Sequence, residues 1–263
     1  MTGRVFLANV GVNASHRFTS PLFEDGTFEF LPIPEDRELT GERLVRYRDL
    51  RSYYDSTRDL LRYVPPRAWD WPTHNDPEFD AFTYGDNCDI APRAAGLKAM
   101  RPGDCLSFLA RLENWNQSGA TGTFGFYLVG HLNIAEENWL FRGLHSTQLD
   151  DESSPFRRNA HVLRARSDEL LWDGFWVFRG SERSVRFATA VPVTRELCTR
   201  VFTSADGSPW KWDGGRTDLQ VIGSYTRSCR MVIDPEAGNG DVRAALLWEW
   251  VERYSTGWLV KSA

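Results

Sequence analysis

Two apolar segments with the length of buried strands constrain the fold of this chain more than any other sequence feature. Residues 105–112 (CLSFLARL) and 123–135 (TFGFYLVGHLNIA) combine aliphatic, β-branched and aromatic side chains, as strands in the middle of a sheet do. A Pro-Gly-Asp turn at residues 102–104 precedes the first segment, and mostly polar residues at 113–122 separate the two. The pattern predicts a β-hairpin whose strands are joined by a long loop.

The rest of the chain alternates between short strand candidates and helical segments. Further strands are predicted at residues 4–12, 28–31, 160–164, 174–179 and 186–192. Partial helical spacing favours a helix within residues 136–150 and one or two short helices, or a covering arm, at residues 36–63. The clearest helix lies within residues 236–260, with an apolar stripe at Val242, Leu246, Trp250 and Tyr254. We therefore predict one α+β domain over residues 1–263, with a mixed or barrel-like sheet, flanking helices and a C-terminal helix.

Charge and cysteine content limit the classes of function and the cellular compartment. The 31 basic and 36 acidic residues give a net charge of -5, which argues against general attraction to nucleic acid but leaves a local basic groove open. The four cysteines lie far apart without a C-x-x-C pair, so neither a structural zinc site nor a disulfide scaffold is expected. No stretch approaches the roughly 20 apolar residues of a membrane span, and the N-terminus lacks a secretory signal pattern. We expect a cytoplasmic protein with no membrane partner.

The densest group of chemically active side chains lies in a predicted loop at residues 73–86. Its histidine and carboxylates suit general acid–base catalysis, because opposed carboxylates can have separated pKa values. His74, Asp76 and Asp86 are the catalytic candidates, and Tyr84 is a candidate for ligand binding. Imidazole and carboxylate groups such as those of His74 and Asp76 also bind divalent metals, although no metal ligands are assigned. The alternative is a solvated loop in which Asp, Asn and Pro only form turns.

Two other groups supply candidate ligand-binding side chains. Asn13 and His16 follow the first predicted strand, at a strand end of the kind that often carries a ligand loop. Asn159 and His161 are two residues apart on a predicted strand and would therefore share one face of it. With Arg186 beside them, they could bind a base or a phosphate. The alternative is that these side chains only cap turns or make structural hydrogen bonds in the core.

Aromatic side chains are abundant enough to provide a stacking surface. They make up 13% of the chain, and the Trp count alone is 11. Base–aromatic stacking is sequence-tolerant and contributes roughly 1–3 kcal/mol per base. Trp71 is the first candidate, because it lies just ahead of the predicted loop at residues 73–86, hereafter the acidic loop. The candidate walls for a base are Trp69, Trp71, Tyr84, Trp115 and Phe126.

The order of the motifs resembles that of a known family. RPGDCLSFLARL followed by GFYLVGHLNI resembles the PUA-like group, which includes the EVE, YTH and ASCH domains, and places a PUA-like hairpin at about residues 101–135. The wider order is FEDGTFEFLPIPE, HNDPEFDAFTYGD, the hairpin, RNAHVLR and SVRFATAVPVT. This order is similar to the nucleotide-modification-associated domain family, third type. The resemblance implies a role in DNA base modification or in defence systems that recognise modified bases, and it supplies no catalytic residues.

Three hypotheses of function follow from the residues and the resemblance together. The protein is a modifying enzyme for a nucleobase or nucleotide, or it is a reader that binds a modified base between aromatic rings. The partner is then a nucleobase-containing ligand or modified DNA. The third hypothesis is a small-molecule-binding protein or enzyme outside nucleic-acid biology. The sequence predicts no particular cofactor, and it leaves the oligomeric state open.

Overall fold

A computed structural model describes residues 3–35, 39, 44–143, 154–172, 174–204, 206–255 and 258–259. The strands are β1 (Val5–Val10), β2 (Ser20–Phe23), β3 (Ile33–Pro34), β4 (Thr73–His74), β5 (Thr83–Asp86), β6 (Cys105–Asn116), β7 (Gly119–Asn133), β8 (Leu140–Arg142), β9 (Trp176–Arg179), β10 (Val185–Pro192), β11 (Arg230–Ile233) and β12 (Trp258–Leu259). The α-helices are α1 (Ala160–Ser167), α2 (Arg195–Val201), α3 (Asp218–Tyr225) and α4 (Gly240–Tyr254). Short 3-10 helices lie between these elements.

The predicted hairpin of β6 and β7 forms the centre of the main sheet. The two strands pair antiparallel from Cys105 opposite Asn133 to Asn116 opposite Gly119. The predicted long loop is therefore wrong, because both strands continue through the polar stretch to a tight turn. Their outer halves are increasingly exposed, and a solvated antiparallel pair accepts polar side chains without losing its backbone hydrogen bonds.

The main sheet is mixed and has the order β11-β1-β6-β7-β10-β12. Strands β1 and β2 both run parallel to β6 and pair with successive parts of it, whereas the other neighbours are antiparallel. The α+β class, the mixed sheet and the C-terminal helix are confirmed. Among the strands the structure describes, no pairing joins β11 to β12, so the sheet is not a closed barrel. A PUA-like core is not confirmed.

The two faces of the sheet bury different parts of the chain. In β1, Phe6 and its alternate neighbours pack into one core, while Val5 and Leu7 pack into the other, as the period of a strand requires. Helices α2 and α4 cover the face of Val5 and Leu7. The opposite face packs against the segment that carries Phe79 and Tyr84. The acidic loop is therefore held against the sheet.

An arm formed by the described residues between 44 and 72 covers a third apolar cluster. Tyr47 is fully buried there, and its hydroxyl donates to the carbonyl of Pro32 at 2.6 Å. The arm contains only short 3-10 helices, such as Leu60–Tyr63, so a covering arm describes it better than amphipathic α-helices. Residues 36–38 and 40–43 of the prediction lie outside the described part of the chain.

Two local predictions are wrong because the sequence signal is short, and a third is wrong over the residues that the structure describes. The strand predicted at residues 160–164 is helix α1, since the Asn159 side chain accepts the backbone N–H of His161 and caps a helix there. The strand predicted at residues 28–31 is reduced to a single bridge. Where a helix was predicted within residues 136–150, the structure has strand β8, and residues 144–150 lie outside the description.

Helix α4 confirms the strongest helical signal but turns a different face inward. Its buried side chains include Leu247 and Val251, whereas Val242 is 53% exposed and Tyr254 is 37% exposed. The buried face of α4 is therefore rotated by about one residue position from the predicted apolar stripe. Trp250 is the member of the predicted stripe that is buried. No helix among the described residues is long and apolar enough to cross a membrane.

Candidate active site

A small cavity of about 200 Å³ lies where four separate segments of the chain meet. The end of β1 and the loop after it form one wall, strands β4 and β5 form a second, and helix α1 closes it from the side. The lining residues are Asn9, Val10, Gly11, Asn13, His16, Ile33, His74, Asp76, Tyr84, Gly85, Arg93 and His161. The acidic loop (residues 73–86) and the loop that follows β1 thus line the same cavity.

Asp76 is the buried carboxylate of the cavity. Its two oxygens accept the backbone N–H of Gly85 at 3.1 and 2.9 Å, and Oδ1 also accepts from Asn159 Nδ2 at 3.3 Å. Oδ2 lies 3.6 Å from Nε2 of His161. Burial raises the pKa of Asp76 well above its usual range, and the carboxylates of Asp86 and Glu78 add to this shift.

His74 is fixed by an ion-pair chain behind the cavity. Its Nδ1 lies 2.9 Å from Oε2 of Glu35, whose other oxygen lies 3.2 Å from Nε of Arg164. A carboxylate oxygen accepts hydrogen bonds, so Nδ1 of His74 is the donor in this contact. The ring also meets the ring of His161 edge-on, with centroids 4.9 Å apart.

His161 lies in the first turn of α1 and is held by packing on both sides. It stacks on Phe175 with ring centroids 5.9 Å apart, and its backbone N–H is held by Asn159 at 3.0 Å. Burial lowers the pKa of His161 well below its usual range, and the neighbouring His74 adds to the effect. A neutral imidazole beside a buried carboxyl group is an arrangement that can exchange protons or ligate a metal.

Asp86 lies behind the cavity wall and holds two of its residues in place. Its Oδ1 accepts from Arg93 at 3.0 Å, and its Oδ2 accepts from the Tyr84 hydroxyl at 3.2 Å. Burial also raises the pKa of Tyr84 well above its usual range. Asp86 is itself 1% exposed and does not line the cavity, so its position suits orientation of Arg93 and Tyr84.

Asn13 and His16 line the cavity while forming a tight turn with each other. The Asn13 side chain accepts the backbone N–H of Ser15 at 2.9 Å, and Nδ1 of His16 accepts the backbone N–H of Asn13 at 3.1 Å. Burial lowers the pKa of His16. Asn13 therefore does both: its side chain caps the turn, as one of the two interpretations of the sequence holds, and the residue also lines the cavity.

The other predicted ligand-binding residues lie apart from this cavity. Arg186 is 2% exposed and is packed among aromatic rings, the nearest being Tyr53 at 3.5 Å from the guanidinium carbon. Trp71 is 38% exposed on the covering arm and does not line the cavity. A stacking role for Trp71 would require a ligand that extends beyond the cavity. Trp69 and Trp115 pack against the arm's apolar cluster.

Two residues that shape the site were missed in the sequence, because only the fold brings them near it. Glu35 follows a Pro-rich stretch and reaches His74 across 39 positions of the chain. Arg93 lies on the far side of the acidic loop and carries no motif. A third missed residue, Gly85, lies within the acidic loop itself and had a clearer signal, since a glycine between Tyr84 and Asp86 in a packed strand suggests a close approach of another group.

A second, larger groove adjoins the cavity. It has a volume of about 1070 Å³, and Asn9 and Asn13 line both. Its lining includes Arg111, Arg216 and Arg227 and contains no carboxylate among the residues described. This is a local basic surface on a chain whose net charge is -5.

Comparison with known families identifies the chain. The family described as nucleotide modification associated domain 3 matches residues 4–213. The chain belongs to this family. The match includes every residue that lines the small cavity and confirms the family resemblance found in the sequence, whereas Arg216 and Arg227 of the groove lie beyond its end. Neither the curated proteins nor the solved structures contain a match to this member of the family.

Proposed function

We propose that this member of the nucleotide modification associated domain 3 family is an enzyme that modifies a nucleotide base in the cavity around Asp76. The observation that carries the proposal is the composition of the cavity wall. Three imidazoles, a carboxylate, a guanidinium and a phenol converge on one small space in a family named for nucleotide modification. Convergent polar groups in a concave site are typical of a site for chemistry on a ligand.

The size of the cavity favours a base over a whole nucleotide. Sites for drug-sized ligands occupy roughly 300–1,000 Å³. The cavity is smaller, at about 200 Å³, and its edge carries the amide side chains of Asn9 and Asn13. Amide groups can both donate to and accept from the hydrogen-bonding edge of a base. A base inserted into the cavity would therefore meet groups that can recognise its edge.

The adjoining groove offers a place for the phosphates of the same ligand. Arg111, Arg216 and Arg227 supply positive charge along it, and guanidinium groups bind phosphate oxygens through two parallel hydrogen bonds. Because Asn9 and Asn13 belong to both walls, one nucleotide could place its base in the cavity and its phosphate in the groove. The proposed substrate is a nucleotide unit, either free or within a strand.

The wall chemistry favours an enzyme over a reader of modified bases. A pocket that only binds a flipped base stacks it between aromatic or apolar side chains. Besides the imidazoles, Tyr84 is the aromatic residue in the cavity lining, and its hydroxyl is held by Asp86. In this proposal, His74, Asp76 and His161 lie at the reacting atoms, and Asp86 is a positioning residue.

The test is direct detection of a modified base. Purified protein would be incubated, with divalent metals present, with free nucleotides and with single- and double-stranded DNA and RNA, carrying ordinary or modified bases. Products would then be digested to nucleosides and analysed by mass spectrometry. We expect a mass change in one nucleoside with the unaltered protein, and loss of that change in Asp76→Asn.

Asp241→Asn is the matched control, because it makes the same chemical change at an exposed position on α4. It should form as much product as the unaltered protein. Tight binding of a modified base without any product would favour the reader. Absence of both binding and product with every nucleobase compound would contradict the proposal and favour a function outside nucleic-acid biology.

A further inference from the structure

We propose that His74, Asp76 and His161 bind a divalent first-row transition metal ion at the floor of the cavity. One ligand atom from each of the three side chains lies within 4.8 Å of the others. All three residues are buried, and they come from β4, the loop after it and α1. The proposal concerns metal binding alone and does not depend on the proposed reaction.

The distances fit a metal ion of this class. Zinc binds imidazole nitrogen at about 2.0–2.1 Å and carboxylate oxygen at about 2.0–2.2 Å, so tetrahedral ligand atoms lie about 3.4 Å apart. Oδ2 of Asp76 and Nε2 of His161 are 3.6 Å apart. The ligand atom of His74 lies within 4.8 Å of the other two, so it must move by roughly 1 Å to reach this spacing. Rotation about the side-chain bonds of His74 can supply that movement.

The groups behind the three side chains have the arrangement expected around metal ligands. A ligating histidine usually donates its other ring N–H to a carboxylate or carbonyl. Nδ1 of His74 makes this contact with Glu35 at 2.9 Å, which leaves Nε2 for a metal. Asp76 is oriented by the backbone of Gly85 and by Asn159.

Asp76 also lacks the usual partner of a buried carboxylate. Buried charges in proteins are paired with an opposite charge or coordinate a metal. Within the described ranges of the chain, the ion-pair partner of Asp76 is the imidazole of His161, and no arginine or lysine pairs with it. A bound cation would supply the missing charge at the position that all three side chains face.

The ligand types select the kind of metal. Two imidazoles and one carboxylate bind zinc in hydrolytic enzymes and iron(II) in oxygenases, whereas magnesium and calcium prefer sites made of oxygen atoms. Three protein ligands leave further positions on the ion open, and all three of these side chains line the cavity that a substrate would enter. A metal held in this way could polarise a substrate group or activate a water molecule beside it.

The experiment measures metal binding without any substrate. Full-length protein would be stripped with a chelator, loaded separately with zinc, iron(II), manganese(II) or magnesium, freed of excess metal and analysed for metal content. We expect one zinc or iron ion per chain and no retained magnesium. Calorimetry should show affinity lower by more than about 100-fold in Asp76→Asn and His161→Asn, and by about 10–100-fold in Glu35→Gln.

His131→Leu is the control, because it removes a buried histidine that contacts Phe187 and Trp248, away from the cavity. It should bind metal as the unaltered protein does. If the ligand variants do not fold, the unaltered protein would be loaded with cobalt(II) instead. Bound cobalt(II) should give visible absorption bands, and these bands should disappear when zinc replaces the cobalt. Absence of stoichiometric metal in folded, unaltered protein, or full affinity in both ligand variants, would overturn the proposal.

Discussion

Gly85 is the position where the smallest change should disturb the candidate site most. A methyl group added there would lie 2.6 Å from Cδ2 of His161 and 2.8 Å from Oδ1 of Asn159. Ordinary contact begins at 3.4 Å, so the imidazole in Gly85→Ala must move by about 0.8 Å, the difference between 3.4 and 2.6 Å. That movement changes the spacing between His161 and Asp76 and strains the cap of α1.

Two consequences of Gly85→Ala can be given a magnitude. Overpacking of a well-filled site typically costs about 1–3 kcal/mol. At roughly 2–4 °C per kcal/mol for a domain of this size, the melting temperature should fall by roughly 2–12 °C. Because a misplacement of about 1 Å can reduce a catalysed rate about 100-fold, product formation should fall by a similar factor.

Thermal unfolding and zinc calorimetry would measure the effects of Gly85→Ala. The control is Gly223→Ala in helix α3, where the added methyl group would lie 3.4 Å from the nearest carbon of Phe126. Replacing a helical glycine by alanine should stabilise the control by about 0.5–1 kcal/mol. A Gly85→Ala protein with unchanged melting temperature and unchanged zinc affinity would refute the packing argument.

Three further predictions test the pH response, the groove and the arm. Burial lowers the pKa of His131 from 6.5 to about 4, so the contribution of this histidine to the free energy of unfolding is fully present above pH 6.5 and falls by about 3 kcal/mol as the pH drops through 4. In denaturant titrations, His131→Leu should flatten this fall. Replacing Arg111 or Arg227 by alanine should weaken oligonucleotide binding, as measured by fluorescence anisotropy. Each replacement should also reduce the slope of log affinity against log salt concentration by about one. Tyr47→Phe should lower the unfolding free energy by about 1–3 kcal/mol, since the buried carbonyl of Pro32 loses its donor.

Each of these predictions has a result that contradicts it. An equally steep loss of stability between pH 6.5 and 4 in His131→Leu would show that other groups cause it. An unchanged salt slope in both arginine variants would remove the groove from the ligand path. Arg253→Ala, at an exposed position on α4, serves as the control for the loss of one positive charge. Unchanged stability of Tyr47→Phe would mean that another group satisfies the Pro32 carbonyl.

The parts of the fold that the sequence predicted correctly are those with long, local patterns. The β6–β7 hairpin and helix α4 each repeat one period over many residues, so a small error in their ends did not hide them. Helix α1 was mistaken for a strand because its apolar run is short and its start depends on the side chain of Asn159. The open edge of the sheet depends on long-range strand pairing, which no local pattern encodes.

The candidate site was partly predictable for a related reason. Asp, His and Tyr side chains concentrated at residues 73–86 indicated chemistry, and the packed aromatic residues among them indicated that the loop was held down. The meeting of His74 with His161 was not visible, since the two are brought together only by α1 folding over β5. The support of His74 by Glu35 was hidden for the same reason.

The most direct test of the central claim follows the histidine side chains by NMR while a nucleotide or oligonucleotide is added. Long-range ¹H–¹⁵N spectra resolve individual imidazoles, and the zinc-loaded and metal-free proteins would be titrated in parallel. If the base enters the cavity, the signals of His74 and His161 should shift with one binding constant, while His131 stays unchanged. Saturable binding that leaves both cavity histidines unshifted, or no binding by any nucleobase compound, would contradict the account.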